Sequence, residues 1–555
     1  MNTETFSNTG QPIPRAAYFC MEYGLHEEFR LYAGGLGILA GDYLKSAHDL
    51  GLPVVGIGLL WRQGYTMQLL SEDGRPFDAY PNYTYDFLKD TGVRVKVRIR
   101  GRKVSCKVWR VDKYGNAPLY LLDTNLPENE DRWITGQLYG WFGEERVAQE
   151  IVLGIGGVRA LRALGIDVDV YHFNEGHAVL AGIELIREKM EGRGMSFEEA
   201  WKATRQEIVF TTHTPVKEGN ESHDHDLLKY MGANNGLTLA QMVQLGGSPF
   251  NMTVAGLRLS RIANGVSQLH GATASRMWKD VTNAASIIAV TNGVHPGTWQ
   301  DPGVRKAFEA GADLWTPHME CKKELLAAVE ARTGAKLDAS RLLIGFARRA
   351  VPYKRSNLIF RNPEVIEPYL TSGKIQIIFS GKAHPQDDTG KEIVAELALM
   401  ARRYPNSVVF LENYDMEIAR LMTRGSDVWL NNPRRPLEAS GTSGMKAAMN
   451  GVLNLSILDG WWPEGCRHGE NGWQFGNGYE GPDADEHDLR ALYDVLLEEV
   501  VPTYYDNHAK WVQMMKASIS MSKDRFSSGR MLKEYYDKMY WPPETPAEVA
   551  RSFKK

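Results

Sequence analysis

Short apolar runs alternate with helix-length segments along most of this 555-residue chain. The first series comprises residues 16–24, 53–60, 118–125, 168–177, 207–215 and 286–293. The second series comprises residues 342–347, 374–379, 407–411 and 427–430. Such alternation is typical of parallel sheets flanked by helices. We therefore predict an α/β protein with two Rossmann-like domains facing across a cleft.

The boundary between the two series is predicted from a polar, proline-bearing stretch after Trp299, which indicates a hinge near residues 295–335. We expect an N-terminal domain at residues 1–295 and a C-terminal domain at residues 296–528. The helix-like tail at residues 529–555 is expected to pack at the domain junction.

Composition and charge argue against several classes of partner. The formal net charge of −4 gives no reason to expect nucleic acid or an anionic membrane. The basic run at residues 93–111 alternates with apolar residues around Gly101, which favours a β-hairpin with a solvated face over a nucleic-acid site. We find no signal core and no apolar run near the ~20 residues of a membrane helix. The scattered cysteines indicate reduced thiols in a cytoplasmic protein.

Polar side chains stand at the ends of several predicted strands. Asn174, Glu175 and His177 follow one strand, and His213 and Asn292 each follow another. Ligands of parallel α/β sheets bind at the carboxyl ends of the strands, so these residues are candidates for a site. A histidine such as His213 could equally be a structural hydrogen-bonding group.

A glycine cluster, Gly34, Gly35 and Gly37, opens a helix directly after the first strand. Glycines in this setting let a phosphate approach the backbone closely. Tight packing of helix against sheet explains them equally well, and the sequence leaves both interpretations open.

His223 and His225 raise the question of a metal site. Residues at i and i+2 could bind one ion only from an extended segment, and the sequence shows no matching ligand set nearby. We interpret this stretch as a polar loop and expect no metal.

A glycine-rich turn and a short helix are predicted between two apolar runs, at residues 438–451. Its small residues suit a phosphate-binding turn: Ser440, Gly441, Thr442, Ser443 and Gly444. Lys446 lies one turn inside the helix, and an amine beside an anion-binding turn suits pyridoxal phosphate. A nucleotide-phosphate turn with an ordinary surface lysine is the alternative.

A cationic stretch at residues 347–355 follows the first strand of the second series. Its three arginines and one lysine would form a pocket for oxyanions. A solvated basic loop is the alternative on this stretch alone.

Together these motifs resemble those of the α-glucan phosphorylases (glycogen, starch and maltodextrin phosphorylases), pyridoxal-phosphate enzymes with the glycosyltransferase-B fold. The short prokaryotic type is the better analogy. The most specific match is Glu438–Lys446. Further motifs match in the same order: Ala33–Gly37, Asn174–His177, Thr212–Thr214, Thr291–Gly293, Ser380–Ala383. The resemblance extends from about Tyr18 to Gly476.

The resemblance implies roles for individual residues. Lys446 would be the Schiff-base lysine, Arg349 and Lys354 would grip the phosphate, and His213 completes the catalytic set. The positions implied for cofactor binding are Lys446, Gly35, Tyr414, Thr442, Ser443 and Gly444. The positions implied for substrate binding are Gly34, Gly35, His213, Asn292, Arg349, Lys354, Glu438, Ser440 and Gly441.

The implied reaction is the reversible phosphorolysis of α-1,4-glucans from the non-reducing end, giving α-glucose 1-phosphate with retained configuration. In this family the phosphate of the cofactor exchanges a proton with the substrate phosphate, which protonates the glycosidic oxygen. Two close anions require fixed cations around them. The N-terminal domain would provide the glucan side and the C-terminal domain the phosphate and cofactor sites. A homodimer is implied by analogy.

Two positions depart from the long type of the family. Gly444 stands where long members carry asparagine, and Asp415 stands where they carry arginine. One cation near the cofactor is therefore either missing or replaced, with Arg434 and Arg435 as the candidates for its replacement. Because few residues precede the first predicted strand, we expect no allosteric regulation. We also expect residues 218–252 to form a mobile wall of the glucan entrance.

Two other functions compete with the phosphorylase. A nucleotide-sugar-dependent glucan synthase of the same fold would need no cofactor lysine. A carbohydrate-binding or scaffold protein on a decayed fold would have lost Arg349, Lys354 or Lys446, and all three are present.

Overall fold

The computed structural model describes residues 11–542. These residues form two compact units. Unit 1 contains residues 11–65, 80–291 and 528–542, and unit 2 contains residues 66–79 and 292–527. The described chain therefore passes between the units at four points, after residues 65, 79, 291 and 527. No helix among these residues combines the length and the apolar character needed to cross a membrane.

This division differs in detail from the domains expected from sequence. Residues 66–79 lie within the expected N-terminal domain, yet they belong to unit 2. There the antiparallel strands Met67–Leu70 and Pro76–Ala79 are held by Gln68, whose Nε2 donates to the carbonyl oxygen of Ala383 over 2.9 Å. Of the expected tail, residues 529–542 belong to unit 1, and residues 543–555 lie outside the described residues.

Unit 1 is built on a sheet of nine strands among the described residues. Their order is Ile287–Ala289, Ile262–Gly265, Ile208–Thr211, Val170–Asn174, Ala16–Phe19, Val54–Leu59, Leu119–Asp123, Arg102–Val111, Lys89–Ile99. All neighbours are parallel except the last three strands, which are antiparallel. The hairpin predicted around Gly101 is confirmed, with Val95, Val97 and Ile99 on its buried face.

The helices of unit 1 are Gly35–Asp49, Glu144–Ile151, Gly157–Ala163, Leu180–Arg193, Phe197–Arg205, His225–Met231, Leu239–Gly246, Met252–Leu259, Gln268–Met277 and Ser528–Tyr535. The last of these helices continues as a short π-helix, Tyr536–Tyr540. The Tyr540 hydroxyl lies 2.5 Å from His172 Nδ1 and 2.6 Å from the Tyr43 hydroxyl. These buried contacts fix the tail of the chain to the centre of the sheet.

The segment expected to form a mobile wall is part of the unit 1 core. Short strands Ser222–His223 and Phe250–Asn251 pair with each other, and two helices lie between them. Leu228, Leu245 and Phe250 are fully or almost fully buried in that core. Such packing contradicts a freely mobile wall.

Unit 2 contains a six-stranded parallel sheet in the order Val408–Leu411, Ile375–Ser380, Leu342–Ala347, Val428–Asn431, Leu453–Ile457, Gly472–Phe475. Its helices are Pro296–Trp299, Pro302–Glu309, Trp315–Thr333, Pro363–Thr371, Asp388–Arg403, Met416–Gly425, Ser443–Met449, Trp462–Gly465, Ala484–Val495, Val501–Asp506 and His508–Ser522. Helices cover both faces of such a sheet, so its strands are continuous apolar runs. The predicted α/β class with two largely parallel sheets is confirmed.

Candidate active site

Lys446 lies on the short helix Ser443–Met449 of unit 2, directly after the glycine-rich turn. The turn needs a glycine at 441, where φ is +79° and lies in the left-handed region. Lys446 is only 5% exposed, and its Nζ stands 4.1 Å from the centroid of the Trp299 ring. It is therefore a buried amine and not the surface lysine of the alternative interpretation.

Packing explains the glycine at position 444. A Cβ at this position would lie 2.6 Å from Asn454 Oδ1 and 2.9 Å from Trp461 Nε1. Asn454 Nδ2 also donates to the carbonyl oxygen of Gly444 over 3.0 Å. The space that an asparagine would need at 444 is thus filled by these two neighbours.

One carboxylate and two cations form a buried cluster at the start of the turn. Glu438 accepts hydrogen bonds from Lys354 Nζ, at 2.5 Å, and from Arg348 Nη2. Arg348 follows the strand Leu342–Ala347, and its Nη1 also donates to Ser443 Oγ over 3.4 Å. A guanidinium therefore stands at the start of the helix that carries Lys446.

Burial and like charge determine how this cluster ionises. Burial, together with repulsion from Arg348, lowers the pKa of Lys354 to about 7, although Glu438 acts in the opposite direction. Burial by itself would raise the pKa of Glu438, but Arg348 and Lys354 outweigh it and hold that pKa below its usual range. The cluster therefore combines the guanidinium of Arg348 with the amine of Lys354, which gains its proton near neutral pH.

A second buried carboxyl group, Asp459, holds the backbone at the start of the turn. Its oxygens accept hydrogen bonds from the amides of Glu438, over 2.9 Å, and Gly460, over 2.8 Å. Burial nevertheless raises the pKa of Asp459 to about 8. Sequence reasoning missed this residue, because an aspartate after an apolar run gives no sign that it will be buried.

Arg349, which we expected to grip phosphate, is exposed, whereas its neighbour Arg348 contacts Glu438. The charge of Arg349 still acts on Lys354 and Glu438, lowering the pKa of each. Arg349 therefore lies within electrostatic range of Lys354 and Glu438. Sequence reasoning did not assign a role to Arg348, since tandem arginines at a strand end do not reveal which one turns inward.

The position where the long type carries arginine is used here to cap a helix. Asp415 accepts a hydrogen bond of 2.9 Å from the amide of Ile418 at the start of Met416–Gly425. The structure gives no support to Arg434 or Arg435 as a replacement cation, because both are engaged elsewhere. Their partners are Asp485, at 2.8 Å, and Glu480, at 2.9 Å.

The other predicted residues of unit 2 border these groups. Thr442 is the residue that precedes the Lys446 helix. Burial raises the pKa of Tyr414, and the charge of Arg348 acts on that hydroxyl. Asn292 is buried, and it is the residue at which the chain enters unit 2 for the second time.

Two buried polar atoms of unit 2, Ser440 Oγ and Asn413 Oδ1, have no hydrogen-bond partner within residues 11–542. Buried polar atoms normally have a partner, so a polar ligand is the natural complement. The amine of Lys446, with the guanidinium of Arg348 at the start of the same helix, suits a group that carries an aldehyde and a phosphate.

In unit 1, three of the predicted strand-end residues meet. His213 Nε2 lies 2.5 Å from Asn174 Oδ1, and the His213 amide donates to Glu175 Oε2 over 2.8 Å. Burial lowers the pKa of His213 to about 3, so its ring is neutral at pH 7. Because the amide oxygen can only accept, Nε2 carries the proton and Nδ1 presents a lone pair. His177 instead lies beside Glu221, with 3.9 Å between the nearest nitrogen and oxygen.

The glycines after the first strand differ in what they require. A Cβ at Gly37 would lie 2.9 Å from Tyr32 Cβ, so packing explains this residue. At Gly34 or Gly35 a Cβ would meet no atom of the described chain within 4 Å. The Gly34 amide donates to Glu22 Oε2 over 3.3 Å. Packing does not explain Gly34 and Gly35, and the phosphate interpretation stays a prediction for them.

Comparison with known proteins identifies the family. A family model described as carbohydrate phosphorylase matches residues 159–235 and 309–476. A maltodextrin phosphorylase of Thermococcus litoralis is 39% identical over 94% of this chain and 70% of its own length. The chain belongs to the carbohydrate phosphorylase family. Two glycogen phosphorylases of the family, from Mycobacterium tuberculosis and Aquifex aeolicus, are 38% and 37% identical. Their alignments cover 98% and 94% of this chain and 72% and 85% of the relatives.

Membership of the carbohydrate phosphorylase family confirms the resemblance recognised in the motifs. The segments matched by the family model contain His213, Arg349, Lys354 and Lys446. They do not contain the glycine loop or Asn292, so the family model does not bear on the roles predicted for these residues.

Proposed function

We propose that this protein catalyses the reversible phosphorolysis of α-1,4-glucans, releasing α-glucose 1-phosphate with retained configuration. The observation that carries the proposal is the Arg348, Lys354 and Glu438 cluster at the start of the helix that holds the buried Lys446. The relatives are named maltodextrin and glycogen phosphorylases, which supports the same substrate class. They give no support to a nucleotide-sugar-dependent glucan synthase.

We also propose pyridoxal 5′-phosphate as the cofactor. Lys446 would hold it covalently, while Arg348 and the hydroxyls of Thr442 and Ser443 would bind its phosphate. When bound, this group supplies a phosphate that can exchange a proton with the substrate phosphate. Arg349 and Lys354 add two cations against the single carboxylate of Glu438, so a second anion can be accommodated beside the first.

Lys354 is suited to bind phosphate near neutral pH. Its pKa of about 7 means that ammonium and amine coexist in the free protein. An arriving dianion stabilises the ammonium, so it raises the pKa and draws a proton onto Nζ. Glu438 would then exchange part of its pairing with Lys354 for hydroxyl groups of the glucosyl unit.

His213 would bind a sugar hydroxyl as an acceptor. Its ring is neutral, and the contact with Asn174 leaves the lone pair on Nδ1 available for a hydroxyl donor. Glu175 holds the His213 backbone in place. In this proposal His213 orients the sugar and transfers no proton.

We also propose that the protein is located in the cytoplasm and forms a homodimer. The four cysteines are all unpaired, which supports a reducing compartment. The dimer rests on family analogy, and light scattering of the purified protein measures it directly.

Steady-state assays with inorganic phosphate and maltose to maltoheptaose or glycogen test the function. We expect α-glucose 1-phosphate as the product, together with an absorbance band beyond that of the protein from the bound cofactor. Glucan elongation from a nucleotide sugar, without any phosphorolysis, would refute the proposal. The same series gives the preferred glucan length.

A further inference from the structure

A second cluster of ligand-type side chains lies in unit 1, apart from the residues assigned above. Glu150 is on the helix Glu144–Ile151, while Glu221 and His223 precede the helix His225–Met231. One ligand atom from each of the three lies within 4.8 Å of the other two. Within residues 11–542, this is the one group of at least three His, Cys, Asp or Glu side chains with such spacing.

The spacing of the three side chains is close to that of a metal site. His223 Nε2 lies 2.7 Å from Glu221 Oε1 and 3.5 Å from Glu150 Oε2. Tetrahedral ligands that stand about 2.0–2.2 Å from zinc are separated from each other by roughly 3.3–3.6 Å. Small side-chain shifts would therefore admit an ion between these atoms.

The burial of the Glu150 carboxylate is a second and independent observation that points to a ligand. Glu150 is 0% exposed and, apart from His223 Nε2 at 3.5 Å within the cluster itself, neither of its carboxylate oxygens has a hydrogen-bond partner in the described chain. Buried carboxylates are normally paired, hydrogen-bonded or bound to a metal. A cation among these oxygens would supply the missing interactions.

Two neighbours support the cluster without filling it. Arg146 Nη1 donates to Glu221 Oε2 over 3.2 Å, which leaves Oε1 directed at His223. His177 Nε2 lies 3.9 Å from the same Oε2, and its buried Nδ1 has no hydrogen-bond partner among the residues described. Outer partners of this kind orient metal ligands.

We propose that Glu150, Glu221 and His223 bind one divalent first-row transition ion, with Zn²⁺ as the probe. One imidazole nitrogen and two carboxylate oxygens form a donor set that suits such ions. The ion would join the helix that carries Glu150 to the segment that follows His213, and would stabilise that segment.

We expected no metal from the sequence, because His223 was considered together with His225. In the structure His225 Nε2 instead contacts the carbonyl oxygen of Gly247 at 2.7 Å. The partners of His223 come from its own loop and from a helix far earlier in the chain. No local spacing pattern could have indicated that set.

The test uses the full-length protein, stripped with a chelator, reloaded with Zn²⁺ and desalted. We expect one zinc per chain by mass spectrometry, and a thermal unfolding midpoint that rises on reloading. Co²⁺ in place of zinc should give visible bands of a low-symmetry site with a nitrogen ligand. Protein that stays metal-free after reloading would show that a proton on His223 neutralises the cluster, and would overturn the proposal.

Variants locate the ion. Glu150→Gln and His223→Gln should each weaken zinc binding at least tenfold, because loss of even an outer partner costs about 10–100-fold. His225→Gln is the matched control and should retain one zinc. Circular dichroism checks folding, and Glu221→Gln replaces a variant that fails to fold. Zinc retained at full affinity by folded Glu150→Gln and His223→Gln would overturn the assignment. If every variant unfolds, the Co²⁺ spectrum of the wild type tests the site instead, and a spectrum without a nitrogen ligand would overturn the assignment.

Discussion

Lys446 is an amine that the fold buries beside the ring of Trp299. Lys446→Ala should abolish cofactor retention and phosphorolysis while the fold persists, since the contact with Trp299 is worth only about 0.5–2 kcal/mol. Borohydride reduction of the wild type, followed by peptide mapping, should place the pyridoxyl adduct on the peptide that contains Lys446. An adduct on another lysine would refute the assignment.

Arg349→Ala should raise the KM for phosphate and for glucose 1-phosphate far more than the KM for glucan. Loss of one charge-assisted contact costs about 1.5–3 kcal/mol, or on the order of 10- to 150-fold. Arg434→Ala is the matched control, because its guanidinium pairs with Asp485 and should leave phosphate binding unchanged. Equal losses for phosphate and glucan in Arg349→Ala would point to a folding defect instead.

The depressed pKa of Lys354 makes anion binding pH-dependent. As pH rises through about 7 the ammonium loses its proton, so affinity for an oxyanion should fall, by up to about tenfold per pH unit. Sulfate is the suitable probe, because its own charge is constant across this range. Its inhibition constant should rise with pH in the wild type and stay nearly flat in Lys354→Arg. A flat profile in the wild type would contradict the lowered pKa.

Local motifs were sufficient to find the chemical groups of unit 2 but not their pairing. Lys446, Lys354 and Glu438 follow from short stretches whose residue types are restrictive. The inward turn of Arg348 and the burial of Asp459 depend on side-chain packing between strands far apart in the chain. Such contacts leave no periodic signal in a single sequence.

At the scale of elements, the parallel strands were predictable because both of their faces are buried and they form continuous apolar runs. The strand Leu342–Ala347, predicted with the same bounds, is one case. The helices between residues 225 and 246 were missed, because each is short and carries apolar residues on its exposed face as well as on its buried face. In Leu239–Gly246, Leu239 and Val243 are exposed while Met242 and Leu245 are buried. Residues 66–79 were misplaced since a short antiparallel pair does not indicate which core it joins.

The start of the Lys446 helix should not tolerate a larger residue. Gly444→Ala would place a methyl group 2.6 Å from Asn454 Oδ1, and overpacking of this kind costs about 1–3 kcal/mol. We expect a lower thermal unfolding midpoint and weaker cofactor retention. Gly35→Ala is the contrasting variant, because its methyl group meets nothing within 4 Å in the described chain. Its midpoint should be unchanged, and a fall equal to that of Gly444→Ala would refute the packing argument.

At the scale of the whole molecule, unit 1 depends on the end of the chain. Truncation after Ser527 removes the Tyr540 hydroxyl that contacts His172 and Tyr43. Hydrogen exchange should then lose protection at Val170–Asn174 but keep it at Leu342–Ala347 of unit 2. Tyr540→Phe is the milder variant and should cost about 1–3 kcal/mol for the groups left unpaired. Equal loss of protection in both units would show that the tail has no special role in unit 1.

The passage of the chain from unit 1 to unit 2 and back sets an order of events during biosynthesis. Residues 292–527 must be translated before the ribosome reaches the helix Ser528–Tyr535. At about 5–20 residues per second this takes roughly 10–50 s. Throughout that interval His172 on its strand and Tyr43 on the helix Gly35–Asp49 lack their contacts with the aromatic side chains Tyr535 and Tyr540. Unit 1 therefore stays incomplete while unit 2 is being made, although the strands of unit 1 are the first to be translated.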